Sequence, residues 1–99
     1  MLVSTVVQDW WVYMVQTRSG KLYTGISTDV ERRFRQHRGE LKGGARFFYS
    51  DAAQAIVYRE ASENRSSASR REAAIKKLSR QQKLLLVAGS EFSCQPSSD

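Results

Sequence analysis

The chain has 99 residues, 40% of them hydrophobic, which is enough for one small domain with a core. Its single cysteine and single histidine exclude an internal disulfide and a zinc cluster of these residue types. It lacks an apolar run of the roughly 20 residues that cross a bilayer, and the N-terminus lacks the basic start of a signal peptide, so we expect a soluble, cytoplasmic protein that does not enter membranes. The formal net charge of +6 indicates a polyanionic partner.

The sequence divides into three predicted segments. Residues 1–9 form an N-terminal extension, residues 10–89 form the folded domain, and the serine-rich residues 90–99 form a disordered tail.

A β-hairpin is predicted near the start of this domain. The β-forming stretches Trp10–Thr17 and Leu22–Ser27 flank the turn residues Arg18–Gly20. A three-residue loop that ends in a left-handed Gly20 pairs the strands in one definite register. A loop one residue shorter or longer would turn one strand over.

The predicted register places two tyrosines on one face of the hairpin. Val15 lies opposite Tyr23, and Tyr13 lies opposite Gly25. Since side chains two apart on a strand share a face, Tyr13 and Tyr23 become diagonal neighbours. Gly25 leaves a gap where a backbone or a ligand approaches closely.

A helix is predicted directly after the hairpin. Thr28–Glu31 matches a capping box, in which the Thr28 hydroxyl accepts from an amide three residues on. Arg33 and His37 are four residues apart and border the buried face, near the tyrosines. The apolar positions of that face recur at helical spacing: Val30, Phe34 and Leu41.

The second half of the chain predicts one strand and two helices. Ala55–Glu60 is rich in β-formers, Asn64 is a suitable cap for a second helix, and Ser79–Gln82 is a capping box for a last helix that ends at Gly89. The fold class is therefore α/β (α+β), a three-stranded antiparallel sheet flanked by helices in the order β-β-α-β-α-α.

Glu72 is an acidic residue at an inward-facing position of the second predicted helix. It shares one helix face with Ala68 and Ile75. Two interpretations are open. Glu72 is a metal-binding carboxylate, or Ser69–Glu72 is a capping box and Glu72 closes a helix that starts there.

These residues resemble the signature of the GIY-YIG endonuclease superfamily. Val12-Tyr13-Met14 stands in place of the first triplet and Tyr23-Thr24-Gly25 is similar to the second. Arg33 follows Tyr23 by ten residues, and His37 and Glu72 continue the order. The resemblance covers about residues 10–88 and is closest to the small stand-alone bacterial members.

The resemblance implies a metal-dependent DNA endonuclease, with a setting in DNA repair or recombination. The implied catalytic residues are Tyr13, Tyr23, Arg33, His37 and Glu72, with Gly25 in a structural role. Glu72 would hold Mg²⁺ or Mn²⁺, because such ions take one carboxylate and complete their shell with water and phosphate. An arginine binds phosphate by two hydrogen bonds, and a tyrosine beside a cation can take a proton. Which tyrosine does so is left open.

The charge pattern predicts the residues that contact nucleic acid. Seven basic residues lie between Arg65 and Lys83 against one acid, and a second basic cluster surrounds a flexible glycine loop, Lys42–Arg46. DNA is the expected polyanion, and RNA is the second. The predicted contacts are Lys42, Arg46, Arg71, Lys76, Lys77 and Arg80.

Two departures from the family pattern keep an alternative open. Phe47–Tyr49 stands where relatives carry a threonine-arginine pair, and no asparagine follows the glutamate helix. The three aromatics suit core packing better than base stacking. A nucleic-acid-binding module that has lost turnover is the second hypothesis, and a protein-interaction domain is the third. Nothing in the sequence indicates an oligomeric state.

Overall fold

The computed structural model describes residues 9–89. The predicted extension, apart from Asp9, and the predicted tail lie outside the described residues. The domain is a three-stranded antiparallel sheet with three helices, as predicted, and the strands lie in the order β2-β1-β3. A short 3-10 helix precedes the third strand. The elements in chain order are β1 (Trp10–Thr17), β2 (Leu22–Ser27), α1 (Val30–His37), the 3-10 helix (Arg46–Phe48), β3 (Ala53–Ser62), α2 (Arg65–Lys76) and α3 (Arg80–Ala88).

The hairpin has the predicted register. Tyr13 pairs with Gly25 and Val15 pairs with Tyr23. Gly20 has a φ of 96°, and the Gly20 amide donates to the Thr17 carbonyl at 2.9 Å. The left-handed glycine therefore closes the turn and aligns the two strands.

Alternate residues of β1 serve two separate cores on the two faces of the sheet. Val12 and Met14 pack with Ile75 of α2 in one cluster. Tyr13 and Val15 pack in the other cluster, which includes α1 and the 3-10 helix. The two tyrosines of the hairpin share the face that α1 covers, as predicted.

Helix α1 is shorter than predicted at both ends. Its N-cap is Asp29, whose side chain accepts from the Arg32 amide at 3.1 Å, so the prediction of a Thr28 capping box is wrong. Ser27 Oγ accepts from the Asp29 amide and holds the chain in a turn for one residue longer. At the other end, Gly39 takes a φ of 85°, which stops the helix after His37 and leaves Leu41 outside it.

The caps of α2 and α3 agree with the sequence. Asn64 Oδ1 accepts from the Ser67 amide at 2.9 Å, and Ser79 forms a reciprocal capping box with Gln82. Because α2 is continuous from Arg65 to Lys76, Glu72 lies inside the helix. The alternative that Glu72 only closes a capping box is therefore excluded.

Helix α2 is attached to β3 by a polar network. Arg71 Nε lies 2.9 Å and 3.1 Å from the two carboxylate oxygens of Glu60, and the Tyr58 hydroxyl donates to the same carboxylate at 2.5 Å. This network links α2 to β3 at the residue next to Glu72.

A membrane span needs a helix of sufficient length and hydropathy. No helix in the described part of the chain is long and apolar enough to span a bilayer.

Candidate active site

A buried hydrogen bond joins β1 to α1. The Tyr13 hydroxyl lies 2.9 Å from His37 Nε2, and the two residues are 1% and 4% exposed. The Ala45 amide donates to His37 Nδ1 at 3.4 Å. A neutral imidazole that accepts at Nδ1 carries its proton on Nε2, so we assign His37 as the donor and the Tyr13 oxygen as the acceptor.

Burial keeps this tyrosine-histidine pair uncharged. Burial lowers the pKa of His37 to about 4, and the positive charge of Arg33 is a second, smaller cause of this shift. Burial raises the pKa of the Tyr13 phenol far above its ordinary value, and the nearby Tyr23 is a second, smaller cause of this rise. The positive charge of Arg33 acts in the opposite direction and lowers this pKa. At neutral pH both side chains are therefore neutral.

Tyr23 lies beside this pair but is only half-buried. Its ring centroid is 5.0 Å from that of His37 and 6.5 Å from that of Tyr13. The ring centroid of Phe48 lies 4.9 Å from that of Tyr23 and 4.5 Å from that of His37. These aromatic contacts hold the Tyr23 ring while part of the residue stays open to a substrate.

The gap predicted at Gly25 is filled by the molecule itself. A Cβ atom at this position would lie 2.7 Å from the Tyr13 hydroxyl oxygen and 2.9 Å from the ring carbon that bears it. Glycine is therefore required so that the Tyr13 ring can lie across β2. This close approach is a physical reason for the predicted structural role of Gly25.

The loop after α1, predicted to be flexible, is bonded to the helix. Arg33 Nη1 donates to the Gly43 carbonyl at 2.5 Å and to Gln36 Oε1 at 2.8 Å. A Cβ atom on Gly44 would lie 2.2 Å from the Gln36 carbonyl oxygen, so only glycine permits this close approach. Together with the Ala45–His37 bond, these contacts let one loop hold both Arg33 and His37.

Glu72 lies on α2, which packs on the opposite face of the sheet from Tyr13 and Tyr23. Its negative charge makes a small contribution to the raised pKa of Tyr13. The side chain is 23% exposed, and Oε2 lies 3.3 Å from Lys76 Nζ. Within residues 9–89 no group of three or more histidine, cysteine, aspartate and glutamate side chains could hold an ion. A lone, accessible carboxylate fits a magnesium-like ion that takes its other ligands from water and phosphate.

The predicted nucleic-acid contacts fall into two groups. Arg71 is paired with Glu60, Lys76 with Glu72, and Arg80 Nη1 donates to the Gly20 carbonyl at 2.9 Å. Three side chains are simply exposed: Lys42, Arg46 and Lys77. The sequence alone could not separate these two groups. Glu60 and Gly20 lie in different parts of the chain from the cations they pair with, and the pairing of Glu72 with Lys76 depends on where α2 begins.

Sequence reasoning missed several residues that shape the site. The core-packing interpretation of Phe47–Tyr49 holds for Phe48, which is 6% exposed, but not for Tyr49, which is 78% exposed. The loop residues Gly43 and Gly44 also act on the site through α1. The adjacent glycines Gly43 and Gly44 in the sequence indicated a close backbone approach, but they did not indicate which residues are approached.

Comparison with known proteins gives consistent matches. The profile of the GIY-YIG catalytic domain matches residues 9–84. The UPF0213 protein DP2720 of Desulfotalea psychrophila is 49% identical over 82 residues, which are 83% of this chain and 74% of that protein. The UPF0213 protein PA3854 of Pseudomonas aeruginosa is 49% identical over 80 residues, 81% of this chain and 75% of that protein. The solution NMR structure of the protein EF2693 from E. faecalis has a TM-score of 0.56 at 28% identity, and the match covers 90% of this chain and 91% of that one.

Proposed function

Because this chain belongs to the GIY-YIG family and is similar to the UPF0213 proteins, small stand-alone members of that nuclease family, we propose that it is a metal-dependent DNA endonuclease. One observation carries the proposal. A neutral tyrosine-histidine pair, a second and more accessible tyrosine, and an arginine meet on one face of the sheet, and the charge of the Glu72 carboxylate makes a small contribution to the raised pKa of Tyr13.

The proposed reaction is hydrolysis of a phosphodiester. A water oxygen attacks phosphorus, one bridging P–O bond breaks, and the leaving oxygen receives a proton. Arg33 is suited to bind the phosphate, because a guanidinium donates in a fork that matches two phosphate oxygens and stabilises the charge that develops there. Its bonds to Gly43 and Gln36 hold it in place before the substrate arrives.

We assign proton removal from the attacking water to the Tyr23 oxygen, which must be in its phenolate form to accept that proton. The leaving oxygen takes its proton from solvent water. Tyr13 is 1% exposed, its oxygen already accepts from His37, and its raised pKa keeps the phenol protonated, so Tyr13 is not available to take a proton from water. Tyr23 lies next to Tyr13 with part of its surface open. Tyr13 and His37 then act as positioning residues that support the Tyr23 ring.

Glu72 would hold Mg²⁺ or Mn²⁺, which when bound polarises the phosphate and offsets negative charge. The carboxylate is accessible, and the nearby Lys76 must move aside or contact the DNA instead. DNA is the proposed substrate, since the basic side chains at Lys42, Arg46 and Lys77 suit phosphate contacts.

The test is incubation with supercoiled plasmid, single strands and branched DNA, in Mg²⁺, in Mn²⁺ and in chelator. We expect metal-dependent cleavage that Glu72→Gln abolishes while DNA binding persists, because glutamine keeps the shape but removes the charge. Glu63→Gln is the matched control, since Glu63 is exposed in the segment before α2. Full activity of Glu72→Gln would exclude Glu72 as the metal ligand.

The second candidate is a nucleic-acid-binding module without turnover. The ion pair between Lys76 and Glu72 favours it, because a lysine on the carboxylate competes with a cation. In that case the same assay gives binding of every DNA form without cleavage in either metal. An absence of DNA binding in both the wild type and Glu72→Gln would contradict both candidates.

A further inference from the structure

A basic depression lies beside the candidate active site and is separate from its polar residues. Its volume is about 260 Å³, and it lies between the hairpin turn, the 3-10 helix and α3. The side chains that line it are Lys21, Leu22, Phe47, Arg80 and Lys83. Phe47 connects it to the site, because the Phe47 and Tyr23 ring centroids are 5.3 Å apart.

Phe47 is a rigid, partly exposed aromatic surface. Its ring is held by Tyr23 and, at 5.2 Å and an interplanar angle of 76°, by Phe48. It nevertheless remains 42% exposed. A large apolar ring that is fixed by two neighbours and open to solvent is suited to stack on a planar ligand, since little conformational freedom is lost on binding.

The rest of the lining is cationic. Lys21, Arg80 and Lys83 contribute three positive charges, and no carboxylate lines the depression in the described part of the chain. Arg80 is held at the rim by its bond to the Gly20 carbonyl. Among residues 9–89 neither lysine lies within ion-pair distance of a carboxylate, although hydrogen bonds and, to a smaller extent, the charge of Lys21 lower the pKa of Asp51. An aromatic surface among three cations matches the two parts of a nucleotide, a flat base and an anionic phosphate.

We propose that this depression binds one unpaired nucleotide of the DNA substrate, with the base stacked on Phe47 and the adjoining phosphates paired with Lys21, Arg80 and Lys83. This inference rests on the proposed function and adds a substrate preference to it. In an intact duplex both faces of each base are already stacked, so Phe47 can be used only where a base is unpaired or displaced. The depression therefore favours DNA with a single-stranded segment next to the scissile phosphate.

The first test measures binding, so that it does not depend on turnover. Labelled single-stranded and duplex oligonucleotides are titrated with protein that carries Glu72→Gln, with and without Phe47→Leu. We expect Phe47→Leu to weaken single-strand binding by about 5- to 150-fold, the effect of one lost stacked base, and to leave duplex binding unchanged. Tyr49→Leu is the matched control, because Tyr49 is 78% exposed on the same turn but does not line the depression.

A second variant guards against a change in folding, because Phe47 also packs on Tyr23. Phe47→Tyr keeps an aromatic face and should bind single strands as the unsubstituted protein does. Lys83→Ala should lower the slope of log affinity against log salt by about 0.7 on single strands, the value for one phosphate contact. Arg70→Ala, which removes an exposed cation bonded only to Ser66 among the described residues, should leave that slope unchanged.

The outcomes separate this inference from the proposed function. Equal single-strand affinity of the unsubstituted protein, Phe47→Leu and Phe47→Tyr would overturn the subsite even if the wild type cleaves DNA. An equal loss on single strands and duplex in Phe47→Leu would overturn it as well. A loss confined to single strands supports the subsite even if no cleavage is found. A failure of the unsubstituted protein to bind single strands also overturns the subsite.

Discussion

The ring of Tyr13 lies across Gly25, its partner in the hairpin register, so closely that a Cβ atom on Gly25 would lie 2.7 Å from the Tyr13 hydroxyl oxygen. The same hydroxyl accepts from His37 on α1. A strand pairing thus determines where a buried tyrosine can reach, and through it the position of a histidine on another element.

We expect Gly25→Ala to displace the Tyr13 ring and break its bond to His37. Overpacking of this kind costs about 1–3 kcal/mol in the free energy of unfolding, and cleavage should fall as well. Denaturant titration and the plasmid assay measure the two effects. Gly89→Ala is the control, since its Cβ would be no closer than 3.4 Å to another atom. In a double-mutant cycle with Tyr13→Leu the two costs should not add, and simple additivity would contradict the contact.

The buried, neutral His37 should make stability depend on pH. Its pKa is about 4 in the folded chain and 6.5 in the unfolded chain, so as pH falls through this window the unfolded state takes up the proton first. Stability should therefore decrease from about pH 6.5 to pH 4 by on the order of 2 kcal/mol, allowing for solvent screening. Urea titrations over this range check it, and the decrease should be smaller in His37→Gln.

The chain has one histidine, so its titration can be read directly. The imidazole signals in an NMR pH titration should move near pH 4. A midpoint near 6.5 would show that His37 is solvated and would remove its assignment as a neutral donor to Tyr13.

The two tyrosines should respond differently to loss of the hydroxyl. Tyr23→Phe should lower kcat by about 100- to 10,000-fold, the usual contribution of a general base, with little change in stability. Tyr13→Phe should instead lower stability by about 1–3 kcal/mol, because the buried His37 Nε2–H loses its acceptor. Cleavage rates and thermal denaturation of both variants provide the comparison. A larger loss of kcat in a stable Tyr13→Phe protein would reverse the assignment of the base.

Arg33 should be required for turnover at any metal concentration. Arg33→Ala should lower kcat by about 100- to 1,000-fold even in saturating Mg²⁺, because its proposed contact is with the phosphate rather than with the ion. Arg32→Ala is the matched control, since Arg32 is an exposed neighbour on the same helix. Recovery of Arg33→Ala at high Mg²⁺ would argue against the phosphate contact.

Arg71 and Lys77 lie in the same helical region of the chain but should have different roles. Arg71→Ala removes the pair with Glu60 and should lower stability by about 1 kcal/mol or less, because the arginine is partly exposed. Lys77→Ala should leave stability unchanged and lower the salt slope of duplex binding by about 0.9 if Lys77 contacts one phosphate. Denaturant and salt titrations of both proteins test this. The opposite pattern would mean that the Arg71–Glu60 pair opens when DNA binds.

The parts of the fold that sequence reasoning predicted correctly depend on short-range interactions. The register of the hairpin follows from the turn that ends at Gly20, and the starts of α2 and α3 follow from the caps Asn64 and Ser79. Each signal lies within a few residues of the structure it determines. The predicted start of α1 was wrong by one residue, because Ser27 and Asp29 accept the amide hydrogen bonds at this turn in place of Thr28.

The sequence by itself determined the order of the elements and the face that the two tyrosines share, because turn geometry, side-chain alternation and capping are local, and its resemblance to the GIY-YIG signature indicated the family. Only the tertiary structure decided that Ala45 and Gly43 hold His37 and Arg33, that Arg71 pairs with Glu60, and that the helix of Glu72 packs on the face of the sheet opposite Tyr13. Most of these contacts join separate elements of the fold. Their geometry depends on how whole helices and loops pack on the sheet, which no local pattern of residues specifies.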